Sequence, residues 1–148
     1  MANNYALIAD PDLVAAHVYL SAVRDLGLGT AIVRDGVLAR TTLSIRGAPS
    51  LLICAIALPG VDAFELIEGL RRTVPEEATP VIVVSADRSL RDRASEQRQR
   101  LGISAIMARA ATDDSVRRLI RRLLGVPEET ANRLQQSRSL SRVRAPRF

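Results

Sequence analysis

Lysine is missing from this sequence, and aromatic residues are nearly missing. All 21 basic residues of the 148-residue chain are arginine, which we attribute to a composition bias of the source genome. Any site that needs a cationic side chain must therefore use a guanidinium rather than an amine. The four aromatic residues are Tyr5, Tyr19, Phe64 and Phe148, so the core must be built from Leu, Ile, Val and Ala.

Cysteine and histidine each occur once. The single Cys54 excludes an internal disulfide and a cysteine-based zinc cluster. Because it lies inside an apolar run, we expect a small buried hydrophobe rather than a reactive thiol. His17 lies on a predicted helix among apolar residues, where a surface or boundary histidine is expected rather than a phosphocarrier.

Long apolar segments are also missing. No run reaches the roughly 18 residues that a membrane span needs, and the first five residues lack the charged start of a signal peptide. We therefore expect a cytoplasmic protein. A composition of 47% hydrophobic and 25% charged residues is typical of a globular domain. The net charge of +5 permits anionic partners without requiring them, and gives weak support for nucleic acid.

Five short apolar runs alternate with segments that carry helix signals. The capping box Asp62-Ala-Phe-Glu65 and the Thr112-Asp-Asp signal begin two of the helices. Runs that are apolar throughout are typical of parallel strands covered on both faces. The pattern predicts an α/β, flavodoxin-like, doubly wound five-stranded parallel sheet with strand order 2-1-3-4-5. The predicted strands are Tyr5–Ala9, Thr30–Val33, Leu51–Ile56, Pro80–Ser85 and Ser104–Ala108.

One segment carries a family resemblance. Leu51–Arg72, LLICAIALPGVDAFELIEGLRR, resembles the third strand, phosphorylation loop and third helix of response-regulator receiver domains of the chemotaxis-regulator type. In that family the strand ends in the phosphoacceptor aspartate, followed three residues later by proline and often glycine. Pro59 and Gly60 are in place here, but Ala55 occupies the aspartate position. LIADPD, VIVVSA and LGISAIMARA extend the resemblance over about residues 5–125.

The resemblance implies a degenerate pocket. The family's acidic pair maps to Asp10 and Pro11, its hydroxyl residue to Ser85, and its lysine to Arg109. An alanine has no nucleophilic oxygen, and a lone carboxylate is a poor Mg²⁺ site. We therefore expect no catalytic residue, no metal site, no cofactor and no enzymatic activity.

The remaining polar residues of the pocket suggest an ion pair. We hypothesise that Arg109 bridges Asp10 with two hydrogen bonds, fills the pocket and locks one conformation. The alternative is that Arg109 extends into solvent. Asp12 is expected to cap the first helix rather than to complete a metal site.

The polar segment of residues 87–100 is predicted to form a solvent-exposed helix. In receiver domains, however, the face from the fourth to the fifth helix is the usual partner-binding surface. The resemblance thus implies a positively charged interaction face made of Arg88, Arg91, Arg98, Arg100, Arg117 and Arg121.

We expect residues 1–125 to form the receiver-like domain. Residues 126–148 are predicted to form a short helix and a flexible Arg/Ser-rich tail, SRSLSRVRAPRF, which cannot bury enough apolar surface to order itself.

The favoured function is a stand-alone pseudo-receiver, a phosphorylation-independent protein-interaction module in two-component-type signal transduction. Its partner would be a kinase, a regulator or a second copy of the chain. Two alternatives stay open. One is a nucleic-acid-binding adaptor that uses the arginine-rich face and tail, and the other is an atypical response regulator phosphorylated at Asp62 or Ser85.

Overall fold

A five-stranded parallel sheet forms the centre of the fold. The computed structural model describes residues 3–109 and 111–126, so the predicted C-terminal helix and tail lie outside the described residues, except for Val126. The strand order is β2-β1-β3-β4-β5, which confirms the predicted order. The strands are β1 (Asn3–Ala9), β2 (Gly29–Val33), β3 (Pro49–Ala55), β4 (Val81–Ser85) and β5 (Ala105–Ala108).

Helices cover both faces of the sheet, because each parallel strand needs a crossover connection. One face packs against α1 and α5, and the other against α2, α3 and α4. As expected, the two resulting cores consist largely of Leu, Ile, Val and Ala. The helices are α1 (Leu13–Arg24), α2 (Gly36–Arg46), α3 (Ala63–Arg71), α4 (Arg88–Leu101) and α5 (Asp113–Leu123).

Side-chain caps begin the helices where the sequence predicts them. Asp12 Oδ1 accepts a hydrogen bond from the Val14 N–H at 3.0 Å, and Thr112 Oγ1 accepts one from Ser115 N–H at 3.2 Å. Such caps satisfy backbone donors that have no partner inside the helix. Asp12 is therefore a helix cap, as predicted.

Helix α2 occupies the segment between β2 and Gly47, for which the sequence analysis identified no individual helix signal. Asp35 begins it by accepting a hydrogen bond from Leu38 N–H at 2.8 Å. Only Gly36 and Ala39 of this helix are fully buried. The buried face is thus too small to give the apolar period that identifies a helix.

The single cysteine and the single histidine have the burial that the sequence predicts. Cys54 is buried in β3, and burial, together with the charges of Asp10 and Asp62, raises the pKa of its thiol well above the usual range. His17 is exposed on α1. Within residues 3–109 and 111–126, no helix is long and apolar enough to cross a membrane.

Two helical glycines with opposite surroundings give a matched test of this packing. A Cβ on Gly36 would overlap the backbone carbonyl of Val61, whereas a Cβ on Gly69 would meet no atom within 4 Å. We expect Gly36→Ala to lower the free energy of unfolding by about 3 kcal/mol through overpacking. Gly69→Ala should raise it by about 0.5 kcal/mol, because alanine is the better helix former. Urea unfolding measures both, and similar values for the two variants would contradict the packing of α2 against the β3–α3 loop.

Candidate functional site at the carboxyl edge of the sheet

The pocket residues predicted from the sequence meet at one edge of the sheet. Asp10 follows β1, Ala55 ends β3, Ser85 ends β4 and Arg109 follows β5. The strands are parallel and in register, with Ala55 opposite Val84 and Ser85 opposite Ala108. Their carboxyl ends therefore converge, as they do at ligand sites of open α/β sheets.

Arg109 and Asp10 form a two-pronged ion pair. Arg109 Nη1 donates to Asp10 Oδ2 at 2.5 Å, and Nη2 donates to Oδ1 at 3.3 Å. Asp10 is only 1% exposed, whereas a quarter of the Arg109 side chain is exposed. The Asp12 backbone N–H also donates to Asp10 Oδ1, at 2.9 Å. Both carboxylate oxygens of Asp10 are thus occupied, in the geometry that the ion-pair hypothesis describes.

The ion pair changes the electrostatics of the site. Burial acts to lower the pKa of the Arg109 guanidinium, but the hydrogen bonds and charge of Asp10 outweigh burial and raise this pKa. Arg109 therefore stays charged, as a paired and partly desolvated guanidinium does. The pocket holds a permanent cation supplied by the chain itself.

Tyr19 belongs to this cluster, although the sequence analysis gave it no role there. Its hydroxyl lies 3.5 Å from Arg109 Nη1, within hydrogen-bonding distance, and its ring is buried on α1. Burial raises the pKa of the phenol, against an opposing effect of Arg109. Its place on the apolar face of α1 could have indicated a buried hydrogen bond, since a buried tyrosine hydroxyl usually has a partner.

Ala55 and Ser85 add little reactivity to the pocket. The Ala55 methyl group is buried at the tip of β3 and has no nucleophilic atom. Ser85 Oγ accepts a hydrogen bond from the Asp87 N–H at 3.0 Å. The Ser85 carbonyl oxygen accepts a further bond from Arg91 Nη1 at 2.8 Å, which ties the first turn of α4 to β4.

Pro11, at the position of the second acid, and Asp62, an alternative acceptor, are both exposed. Pro11 is exposed and contributes no oxygen ligand from its side chain. Asp62, an alternative phosphoacceptor, caps α3 by accepting a hydrogen bond from Glu65 N–H at 2.9 Å. Within the part of the chain that the structure describes, no three His, Cys, Asp or Glu side chains are grouped so that they could hold a metal ion.

A groove of about 560 Å³ runs between α4 and α5 across β5. Arg98 lines it from α4, where its Nη2 also donates to the Ser104 carbonyl oxygen at 2.9 Å. Arg122 lines it from α5. The floor between them contains Ile106, Met107 and Leu119. Of the predicted face, Arg88 is exposed at the start of α4, while Arg91 is half-buried against Ser85.

The structure corrects the composition of the predicted arginine face. Arg117 forms an ion pair with Asp25, and its Nη2 donates to Ser21 Oγ at 3.0 Å, so it faces α1 rather than α4. Arg121 lies one turn later on the same side of α5. Arg100 is bonded to Gln97 and lies 3.5 Å from Glu68 of α3.

The spacing of the arginines on α5 explains why Arg117 was assigned to the wrong face. Arginines 117, 118, 121 and 122 form two pairs with the same four-residue spacing on neighbouring sides of α5, so the sequence does not indicate which pair faces α1. Arg122 is the arginine of α5 that lines the groove, and the sequence analysis did not include it in the face.

Comparison with known proteins agrees with this architecture. No family model matches the chain. The protein "Regulator of RpoS" from Escherichia coli is 32% identical over 109 residues, which are 72% of this chain and 30% of that protein. A protein of the same name from Shigella flexneri matches equally. The matched region therefore spans under a third of the length of these curated relatives.

Solved structures resemble the chain over most of its length. The chemotaxis response regulator CheY4 of Vibrio cholerae has 15% identity and a TM-score of 0.69, with 83% of this chain and 98% of that chain covered. The receiver domain of NtrX from Brucella abortus has 19% identity and a TM-score of 0.69, with 82% and 99% covered. The chain therefore has the fold of response-regulator receiver domains.

The ion pair predicts how substitutions at Arg109 affect stability. Arg109→Ala leaves the buried Asp10 carboxylate without its counter-charge, so we expect the free energy of unfolding to fall by about 3 kcal/mol. Arg109→Lys keeps the charge but not the two-pronged geometry, and should cost about 1 kcal/mol. Urea unfolding measures both, with the exposed Arg88→Ala as a control that should leave the midpoint unchanged. An Arg109→Ala midpoint equal to that of the unchanged chain would show that the pair contributes nothing.

The two tyrosines predict a specific response to alkaline pH. Burial raises the pKa of both Tyr5 and Tyr19 above the ordinary value of 10.0. Tyrosinate absorbance should therefore develop at higher pH in the folded protein than in urea. The stability that the neutral phenols contribute is complete below about pH 10 and is lost as the pH rises through the raised pKa values. In a spectrophotometric titration, Tyr19→Phe should remove one shifted transition; two unshifted transitions in the folded protein would refute this.

Proposed function

We propose that this chain is a pseudo-receiver, a phosphorylation-independent protein-interaction module in two-component-type signal transduction. It acts in the cytoplasm by binding, without enzymatic activity and without a metal cofactor. Its partner is a protein of the signalling pathway, such as a kinase, a regulator or a second copy of the chain.

The observation that carries this proposal is the Ala55 methyl group at the tip of β3, beside an Asp10 carboxylate that is already fully bonded. Transfer of a phosphoryl group to a carboxylate needs an attacking oxygen at the strand tip, and alanine has none. It also needs a cation to offset the charge of the transferring group. Among the residues that the structure describes, Asp10 has the only buried carboxylate, and it is held by Arg109 and the Asp12 N–H.

Binding of Mg²⁺ would require this ion pair to open. The metal prefers six oxygen ligands in near-octahedral geometry, and it keeps its waters unless carboxylates replace them. Asp10 would first have to exchange two charge-assisted hydrogen bonds with Arg109 for one metal contact. The guanidinium thus takes the role of the cation and keeps the pocket in one state.

Because the pocket always contains the Arg109 cation, it does not change state on phosphorylation, and signalling depends on the binding surfaces of the chain. The α4–α5 groove suits such a role because its apolar floor of Ile106, Met107 and Leu119 lies between Arg98 and Arg122. A partner segment with apolar residues flanked by carboxylates would complement it. The likeness of the chain to proteins described as regulators supports a signalling context.

The proposal predicts no phosphoryl uptake. We expect incubation with acetyl phosphate and Mg²⁺ to add no phosphoryl mass to the protein, as measured by intact mass spectrometry. Titration calorimetry should likewise detect no Mg²⁺ binding at sub-millimolar affinity.

The matched control is the triple variant Ala55→Asp, Pro11→Asp, Arg109→Lys. These substitutions introduce, in that order, the acceptor aspartate, the second acid and the lysine of the family pattern. This variant should gain a phosphoryl group under the same conditions. Phosphorylation of the unchanged chain, mapped to Asp62 or Ser85, would overturn the proposal in favour of an atypical phosphoacceptor.

A further inference from the structure

The outer face of α2 exposes apolar side chains that the fold does not use. Val37 and Leu38 are each 48% exposed, and Ile45 is 79% exposed. They are three of the five large hydrophobic residues exposed in the described parts of the chain. Leu38 and Ile45 are seven residues apart, so they lie on the same side of the helix, two turns apart. Exposed apolar residues concentrated on one helix indicate a binding surface.

Thr41 extends this apolar surface, and Thr42 follows it on the helix. Thr41 Oγ1 donates to the Val37 carbonyl oxygen at 2.9 Å, and Thr42 Oγ1 donates to the Leu38 carbonyl oxygen at 2.8 Å. Because both hydroxyls are bonded to their own helix, neither needs water or a partner as an acceptor. Val37, Leu38, Thr41 and Ile45 together form what we call the α2 ridge.

The charge along the α2 ridge has one sign. Helix α2 contains Arg40 and Arg46 and no acidic residue. The helical period places these two arginines on opposite flanks of the ridge. Arg46 is held in place, since its guanidinium carbon lies 4.0 Å from the centre of the Tyr5 ring. A complementary surface must therefore carry carboxylates on both sides of an apolar strip.

A groove of about 540 Å³ between α2 and α3 continues the surface beyond Arg40. Its lining includes the apolar Leu43, Leu66 and Leu70, and Arg72 at the end of α3. Gly69 also lines it, and the space above this glycine is open. Glycine weakens a helix relative to alanine, and no contact with the described part of the chain requires it here. The open space lets another backbone approach α3 closely.

The acids of the groove do not cancel its positive charge. Glu65 and Glu68 both line it, but Glu68 lies 3.5 Å from Arg100 of α4. Arg40 and Arg72 therefore face a groove with one acid, Glu65, that has no ion pair with the described residues.

We propose that the α2 ridge and the α2–α3 groove dock an acidic amphipathic helix of a partner protein. Its apolar side chains would cover Leu38 and Ile45, and its carboxylates would reach Arg40, Arg46 and Arg72. This is helix recognition by an apolar surface with charged flanks. This surface is separate from the α4–α5 groove, so the inference can be tested independently of the function proposed above.

Charge and shape argue against other occupants. Packing the α2 ridge of one copy on that of a second copy would bring arginines against arginines. Residues 137–148 of this chain carry four arginines and no acid, so they do not complement the surface either. A lipid bilayer could contact the ridge but could not enter the groove above Gly69.

The experiment uses the full 148-residue chain and two labelled synthetic helices. Both peptides carry leucines at helical spacing; one has glutamates on the flanks and the other has lysines. We expect the glutamate peptide to bind, and Ile45→Asp to weaken that binding at least tenfold. Ile45 is exposed, so this variant should keep its urea midpoint. Gly69→Leu, which fills the groove, should weaken binding by a similar factor.

Charge reversal tests the identity of the partner. In the Arg40→Glu, Arg72→Glu variant the preference should switch from the glutamate peptide to the lysine peptide. The matched control, Arg98→Glu with Arg122→Glu, alters only the α4–α5 groove and should leave peptide binding unchanged.

Three outcomes would overturn the inference. The first is no binding of the glutamate peptide, and the second is binding that Ile45→Asp leaves unchanged. The third is binding to anionic phosphatidylglycerol vesicles that Ile45→Asp and Arg40→Glu abolish, which would assign the surface to a membrane instead. None of these outcomes bears on phosphoryl uptake.

Discussion

The buried Asp10 carboxylate is the constraint around which the carboxyl edge of the sheet is organised. An unpaired charge at 1% exposure would be costly, and Arg109, 99 residues later in the sequence, supplies the opposite charge. The pair links the end of the interior strand β1 to the end of the edge strand β5. Through the Asp12 N–H and Tyr19, it also fixes the start of α1 and one side of that helix. One interaction therefore holds together three elements, β1, β5 and α1, that meet at this edge.

This arrangement bears on the proposed mode of action. A ligand can shift a protein between two states only by the difference in its affinity for them. In the proposed pseudo-receiver the ion pair takes the place of such a ligand and is always present. The Arg91 bond to the Ser85 carbonyl oxygen adds a second guanidinium that fixes α4 to β4. Regulation would then come from the concentration of the partner rather than from a chemical change in the pocket.

The sheet and the pocket could be predicted from the sequence, whereas the surfaces could not. Buried parallel strands are apolar throughout, so short runs such as Pro80–Ser85 identify them. Their order was predicted as the one typical of a doubly wound sheet of this size, and the pocket was predicted from the family resemblance. Helix α2 follows only from the alternation of strands and helices and not from a signal of its own, because it buries only two small residues. Arg117 was misplaced because α5 carries two neighbouring pairs of arginines with the same spacing, and only packing against Asp25 and Ser21 distinguishes them. The place of Tyr19 on the apolar face of α1 indicates that its hydroxyl has a partner, but not that the partner is Arg109, 90 residues later.

The two tyrosines have a practical consequence, because the chain contains no tryptophan. Tyr5 donates its hydroxyl to the Gly47 carbonyl oxygen at the end of α2 and lies beneath Arg46. Tyr19 contacts Arg109 at the opposite end of β1. The molecule thus contains one intrinsic fluorophore beside the α2 surface and one beside the ion pair. Its ultraviolet emission can report on the two regions separately, without any attached dye, once either ring is replaced by phenylalanine.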